Sequence, residues 1–264
     1  MTQSKVVGVI PARYQSTRLP GKMLSDIQGK PLIVRTFETV RNSSLIDRLV
    51  VATDDGRIAE AIETAGGEVV LTAPDLPSGS DRVHAAVQDL AVDIVVNIQG
   101  DEPLLPPGHI DRTIQLLLDT EEFMVTTAAC PIPAEDLNNP DVVKVVTDAF
   151  GRALYFSRSA IPHPRGKQAP DPLFRRHIGL YAFRRVALER FTHLPPSNLE
   201  QCERLEQLRM LEHGIPIGVV DVSPVPAGVD TPDDLRRVRM TYNDPDSPVV
   251  IACLIPDRGQ QDRQ

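Results

Sequence analysis

The sequence has no tryptophan, and its four tyrosines and seven phenylalanines bring the aromatic share to only 4%. It therefore does not encode a surface that stacks bases between aromatic and basic groups. A formal net charge of −8 also removes the basic field that a nucleic-acid partner requires. An anionic ligand must then be held by a few placed cations. Cysteine is equally scarce: Cys130, Cys202 and Cys253 lie far apart without a CxxC pairing, which encodes neither a disulfide framework nor a zinc cluster and points to a reducing, cytoplasmic setting. No apolar run approaches the ~20 residues needed to span a bilayer. The opening MTQSKVVGVIPARY sets one short apolar run directly before a polar loop, which argues against export or membrane insertion.

What is present is a soluble globular composition, with 264 residues, 41% hydrophobic and 24% charged. Short β-branched runs at Val6 to Ile10, Leu49 to Thr53, Glu68 to Thr72 and Asp93 to Gln99 read as strands. Between them lie helical stretches, one opened by Lys30-Pro31 and running to Val40, another carrying Ile58, Ala61, Ile62 and Ala65 before Gly66-Gly67 stops it. Strand and helix in alternation imply an α/β fold with a mostly parallel sheet between helices. After Val142 the pattern changes. Val142 to Asp148, Gly151 to Arg158 and Ile178 to Arg185 read as antiparallel strands, and Leu199 to His213 as one helix before a strand at Ile215 to Val222. The proline-rich stretch Ile161 to Pro172 reads as an exposed flap. The expected organisation is one domain over 1–242, followed by a partly disordered, dispensable tail over 243–264.

Two segments carry chemistry. PARYQSTRLPGK, Pro11 to Lys22, follows the first strand, where open parallel sheets bind ligands. Arg13, Arg18 and Lys22, with the hydroxyls of Ser16 and Thr17 and a close backbone approach at Gly21, can wrap a triphosphate and stabilise its developing charge. The loop is neither GxxxxGK[ST] nor GxGxxG; read without a ligand, it is a solvated basic loop. NIQGDEP places Asp101 where the chain leaves the fourth strand, a position suited to a hard cation such as magnesium, which needs a second carboxylate or phosphate oxygens. Asp230, in GVDTPDDL, is the candidate partner. It reads equally well as an assistant to the helix start that Thr231, Pro232 and Asp234 encode.

PARYQSTRLPGK, SGSDR, NIQGDEP, ALYFSR, RHIGLYAF, LEQLRMLEHG and GVDTPDDL, in this order from Val6 to about Met240, resemble the 3-deoxy-manno-octulosonate (KDO) cytidylyltransferases. The resemblance implies a fold of the nucleotide-diphospho-sugar transferase type with an antiparallel excursion that forms a homodimer. It also implies transfer of a cytidylyl group from CTP to KDO, giving CMP-KDO and pyrophosphate for lipopolysaccharide biosynthesis. By resemblance, Arg13 and Lys22 bind the triphosphate, Ser78 and Arg82 lie beside cytosine and ribose, and Asp101 and Asp230 hold magnesium. Gln99, Arg158, His177, Tyr181, Glu206 and Gln207 line the sugar-acid pocket. Without it, Tyr181 reads as a core residue, His177 as a structural histidine, and Glu206 with Gln207 as a solvated helix face. A cytidylyltransferase for a related acid such as 8-amino-KDO, and a non-catalytic nucleotide sensor of the same fold, are the alternatives. QGDEP in place of DxD argues against a sugar-transferring enzyme.

Overall fold

The computed structural model describes residues 4–16, 18–165, 173–244 and 246–254. Thr17, most of the expected flap and the end of the expected tail lie outside them. The described chain gathers into two compact units, one within Met1–Asp111 and Val225–Gln264 and one within Arg112–Pro224.

In the first unit, β1 (Val6–Ala12) leads through a 3-10 turn at Lys22–Leu24 to a two-residue ribbon, β2 (Asp26–Ile27) and β3 (Lys30–Pro31), and then to α1 (Leu32–Val40). β4 (Arg48–Thr53), α2 (Gly56–Thr64), β5 (Glu68–Leu71), α3 (Gly79–Val87) and β6 (Ile94–Asn97) follow. β6, β1, β4 and β5 pair in parallel in that order. Val9, Ile10, Val50, Val51, Val95 and Val96 are fully buried, as strands covered on both faces must be. The four strands match the expected runs to within a few residues. The Gly66 stop is real: its φ of +76° is a left-handed conformation that glycine adopts without cost.

The division between units falls within α4 (Pro107–Asp119). The second unit contains β7 (Val125–Pro131), β8 (Lys144–Thr147), β9 (Ala153–Ser157), β10 (Arg175–Arg184), α5 (Arg185–His193), α6 (Asn198–Glu203), α7 (Gln207–Glu212) and β11 (Ile217–Asp221). β10 pairs antiparallel with β7 and β8, β8 with β9 likewise, and β11 lies parallel to β7. This is the antiparallel region expected after Val142. The single helix expected from Leu199 to His213 is instead two short ones. Arg204 sits at φ +53°, a left-handed break that closes α6 before α7 starts.

The chain returns to the first unit with α8 (Pro232–Tyr242) and α9 (Pro248–Leu254). Part of the expected tail packs here, within the stretch Val249 to Ile255 that alone in it has apolar content enough to do so. Val250 and Cys253 are buried in one cluster with Ile27, Leu32, Leu104, Leu235 and Val238, and Asn42 Nδ2 donates to the Cys253 carbonyl. Burial pushes the Cys253 thiol up to about 12. Among the described residues no helix is long and apolar enough to cross a membrane. Two buried apolar side chains are worth about 4 kcal/mol. Truncation after Tyr242 should therefore lower the melting temperature by about 10 °C; an unchanged melting curve would show that α9 adds nothing to this core.

Candidate active site

The loop after β1 is folded by its own backbone. Gly21 N donates to Tyr14 O at 3.2 Å, and Gly21 takes φ +69° with the Tyr14 ring so close that a Cβ would lie 3.2 Å from its hydroxyl oxygen. The Arg57 guanidinium stacks on that ring at 3.5 Å. Arg13 Nη2 donates to Leu76 O at 2.8 Å, and Ser16 Oγ accepts from Leu19 N at 3.4 Å. Arg13, Tyr14, Ser16, Asp54 and Arg57 are among the residues lining a cavity of about 650 Å³.

Turning inward at the end of this loop, Lys22 is 7% exposed. Its Nζ donates to Asp101 Oδ2 at 2.5 Å, to Asp230 Oδ1 at 2.9 Å and to Val229 O at 3.0 Å. Arg18 Nη2 reaches the other oxygen of Asp230 at 2.9 Å. Burial opposes the Lys22 charge, but the two aspartates outweigh it and hold its pKa above the ordinary lysine value. Asp101 is tied to the Asp230 segment through its backbone as well, since Val229 N donates to Asp101 O at 2.9 Å. A Cβ on Gly228 would stand 3.2 Å from that same carbonyl oxygen, so glycine permits the approach.

The side chain of Asp230 and the helix start are separate here. The start of α8 is capped by Thr231 and Asp234 in a reciprocal box, with Asp234 Oδ2 also accepting from Asp230 N. The Asp230 carboxylate takes no part in the cap and faces the two cations. Two carboxylates and a carbonyl converging on one positive charge are the donor set of a hard divalent ion, which completes its shell with water and phosphate oxygens. The residues fit magnesium, although among the described residues no cluster of three or more acidic, histidine or cysteine side chains is present.

Ser78 caps α3, accepting from Asp81 N at 3.1 Å and donating to Asp81 Oδ2 at 2.7 Å. Arg82 has no exposed surface, and its guanidinium donates to Thr72 Oγ1 and, at 3.1 Å, to Asp54 Oδ2. Burial lowers its pKa, with Asp54 opposing and Arg13 reinforcing the effect. Arg82 thus holds the cavity-lining Asp54 in place. Gln99 lies in the turn after β6, its carbonyl accepting from Glu102 N at 3.3 Å.

In the second unit, Phe156, His177, Tyr181 and Phe183 form a continuous row with ring centroids 5.0, 5.4 and 5.8 Å apart. The β10–β7 register slips between Ile178 and Tyr181, where three steps on one strand match one on the other. The slip is an even number of residues, so His177 and Tyr181 keep one face. Thr127 Oγ1 lies 2.9 Å from His177 Nε2 and 2.7 Å from Leu180 O. With the hydroxyl proton given to that carbonyl, Nε2 carries the imidazole proton and Nδ1 remains an acceptor. Burial, helped by the Arg176 charge, drives the His177 pKa down to about 3, so the ring is neutral. Burial and then the Glu206 charge raise Tyr181 well above its usual value, which keeps its hydroxyl protonated. Glu206 immediately precedes α7, and Gln207, its first residue, is buried. Arg158 is held on several sides. Its Nε donates to Glu203 O at 2.8 Å, Nη1 to Pro140 O at 2.9 Å and Nη2 to Arg204 O at 3.4 Å.

The cytidylyltransferase family model matches residues 7–217. The 3-deoxy-manno-octulosonate cytidylyltransferase of Chloroherpeton thalassium is 51% identical over 238 residues, covering 89% of this chain and 96% of its own. The chain belongs to the 3-deoxy-manno-octulosonate cytidylyltransferase family. The Syntrophobacter fumaroxidans member is 50% identical over 239 residues, covering 89% of this chain and 95% of its own. A solved CMP:2-keto-3-deoxy-manno-octonic acid synthetase complexed with CTP is 42% identical, covers 90% of this chain and 98% of its own, and superposes with a TM-score of 0.86. A cytidylyltransferase from Leptospira borgpetersenii, 18% identical with a TM-score of 0.63 over 91% of this chain and 87% of its own, shares the fold.

Within this family member, the first unit brings together Arg18, Lys22, Asp101 and Asp230, and the second brings together His177, Tyr181 and Glu206. The Tyr14–Arg57 stack, Asp54 and Lys144 were not selected from the sequence. Lys144 gave the one usable signal, a lone charge inside the β-branched run VVKVVT. A histidine whose folded pKa is depressed contributes stability above its ordinary value of 6.5 and loses it as the pH falls towards 3. Melting temperatures between pH 6.5 and 4 should thus fall less steeply for His177→Gln than for the wild type. Parallel curves would mean that His177 takes up its proton in the folded state as readily as in the unfolded chain.

Proposed function

We propose that this chain transfers the cytidylyl group of CTP to 3-deoxy-D-manno-octulosonate, giving CMP-KDO and pyrophosphate, and that magnesium held by Asp101 and Asp230 is its working metal. The observation that carries the reading is the convergence of Asp101, Asp230 and the Val229 carbonyl on the Lys22 ammonium at the end of the loop after β1. Asp101, Asp230 and the Val229 carbonyl would hold a divalent ion accompanying CTP, and Lys22 would then be available to the triphosphate. Arg13 and Arg18, on the same loop, add charge for the departing pyrophosphate. When bound, magnesium supplies Lewis-acid stabilisation of phosphoryl oxygen charge.

On the sugar side, Arg158 provides planar N–H donors suited to a carboxylate. Neutral His177, through Nδ1, accepts from a sugar hydroxyl, while the protonated Tyr181 hydroxyl and the Glu206 and Gln207 side chains complete the polar lining. The anomeric hydroxyl attacks the α-phosphorus, a P–O bond forms as the bond to the bridging oxygen breaks, and the hydroxyl proton passes to solvent. No covalent enzyme intermediate is required. A homodimer in the cytoplasm that feeds lipopolysaccharide assembly is part of the same proposal, supported by the likeness to the family.

The direct test is incubation with CTP, KDO and magnesium followed by mass analysis. CMP-KDO and pyrophosphate in equal amounts are expected. Asp101→Asn and Asp230→Asn should each reduce turnover by at least 100-fold, since Lewis-acid stabilisation is worth several kcal/mol. The double variant should lose little beyond either single one. Absence of product from the folded wild type, or better turnover of another sugar acid, would contradict the assigned substrate.

A further inference from the structure

Lys144 is fully buried on β8, yet among the described residues no carboxylate pairs with it. Its three ammonium protons go to three main-chain carbonyls, those of Asn139, Val142 and Arg158, each at 2.7 Å. Enclosing an ammonium among neutral carbonyls is costly, and a methionine would fill the same space without that desolvation. The three carbonyls show what the charge does. Asn139 and Val142 flank Pro140, whose own carbonyl accepts from Arg158 Nη1 at 2.9 Å. The lysine thus closes a ring. It grips the main chain of Arg158 directly and fixes the short segment that grips the Arg158 side chain. The opposite side is held by the end of α6, where Glu203 Oε2 accepts from Arg158 N at 2.9 Å and Glu203 O from Nε at 2.8 Å. A guanidinium has five N–H bonds. Three are directed at the carbonyls of Glu203, Pro140 and Arg204, which leaves two for an incoming acid. The charged groups that act on Lys144 are Arg158, Asp136 and Glu203, so its ammonium also adds positive charge beside the arginine.

We propose that Lys144 is a positioning residue for the sugar acid: through the carbonyls of Asn139, Val142 and Arg158 it locks the Arg158 guanidinium in the orientation that receives the substrate carboxylate. The inference rests on the reading of Arg158 as the carboxylate-binding group. It requires no contact between Lys144 and the substrate. It predicts that loss of the ammonium is felt on one substrate only. Lys144→Gln keeps a donor for part of the cage and removes the charge, so its effect should fall between wild type and Lys144→Met.

Steady-state kinetics with CTP and KDO varied separately, together with calorimetry of CTP binding, test the proposal on Lys144→Met, Lys144→Gln and Arg158→Ala. The KM for KDO should rise at least tenfold in Lys144→Met and less in Lys144→Gln, with the dissociation constant for CTP within twofold of wild type in both. Combining Lys144→Met with Arg158→Ala should add little to Arg158→Ala alone. If Arg158→Ala itself leaves the KM for KDO unchanged, the reading of the pocket fails and this inference with it. If Arg158→Ala raises that KM while a folded, CTP-binding Lys144→Met does not, the inference alone is overturned. Failure of both lysine variants to fold would assign Lys144 to the fold and likewise overturn it.

Discussion

The first unit depends on one buried ammonium. Lys22 joins the loop after β1, the turn after β6 and the segment before α8, which are far apart in the chain, by donating to Asp101, Val229 and Asp230. With Arg18 on the outer oxygen of Asp230, two positive and two negative charges balance. Only Lys22 is buried, while Asp230 and Arg18 keep large exposed fractions of their side chains, so the buried-pair cost below applies to Lys22 and Asp101. Breaking a buried pair by removing one partner costs about 3–5 kcal/mol, because the remaining charge stays enclosed and unpaired. Removing Lys22 would leave two carboxylates facing each other with only Arg18 to offset them. The same constraint explains the chemistry, since carboxylates arranged to surround one cation are prepared to surround another.

In the second unit the groups around the aromatic row are held differently, kept neutral or satisfied by main chain, although the unit also contains the nearly buried Arg209–Glu200 ion pair. The row from Phe156 to Phe183 provides an apolar wall in which His177 is held unprotonated and Tyr181 protonated. Buried Lys144 and half-buried Arg158 direct their side-chain donors to carbonyls instead of carboxylates. Cations held this way retain their charge for an external anion, whereas Lys22 already has two internal ones. On the function proposed above, the first unit would hold a metal-bound polyphosphate and the second a single carboxylate on a hydroxyl-rich sugar.

Much of this was legible in the sequence. The four parallel strands, the loop after β1 and the antiparallel stretch after Val142 follow from local periodicity and turn chemistry, and these are properties of neighbouring residues. What local reasoning missed depends on distant partners. Thr231, Pro232 and Asp234 announce a helix start, but only the fold shows that the cap is complete without Asp230. The burial of Arg82 against Thr72 and Asp54 is likewise invisible in SGSDR alone. Leu199 to His213 has helical composition throughout, and nothing local requires the left-handed Arg204 that divides it. The apolar content of Val249 to Ile255 marks α9 as able to pack, but its partners Leu235 and Ile27 are visible only in the fold.

The central claim, that Asp101 and Asp230 together hold a divalent ion when CTP is bound, is tested most directly by electron paramagnetic resonance with manganese standing in for magnesium. Titrating manganese into the wild type, Asp101→Asn and Asp230→Asn at saturating CTP measures the ion without reference to turnover. The account predicts one tightly held ion in the wild type that is lost, or weakened at least tenfold, in each variant. Equal manganese affinity in all three proteins would contradict it and would leave the two aspartates as ion-pair partners of Lys22 alone.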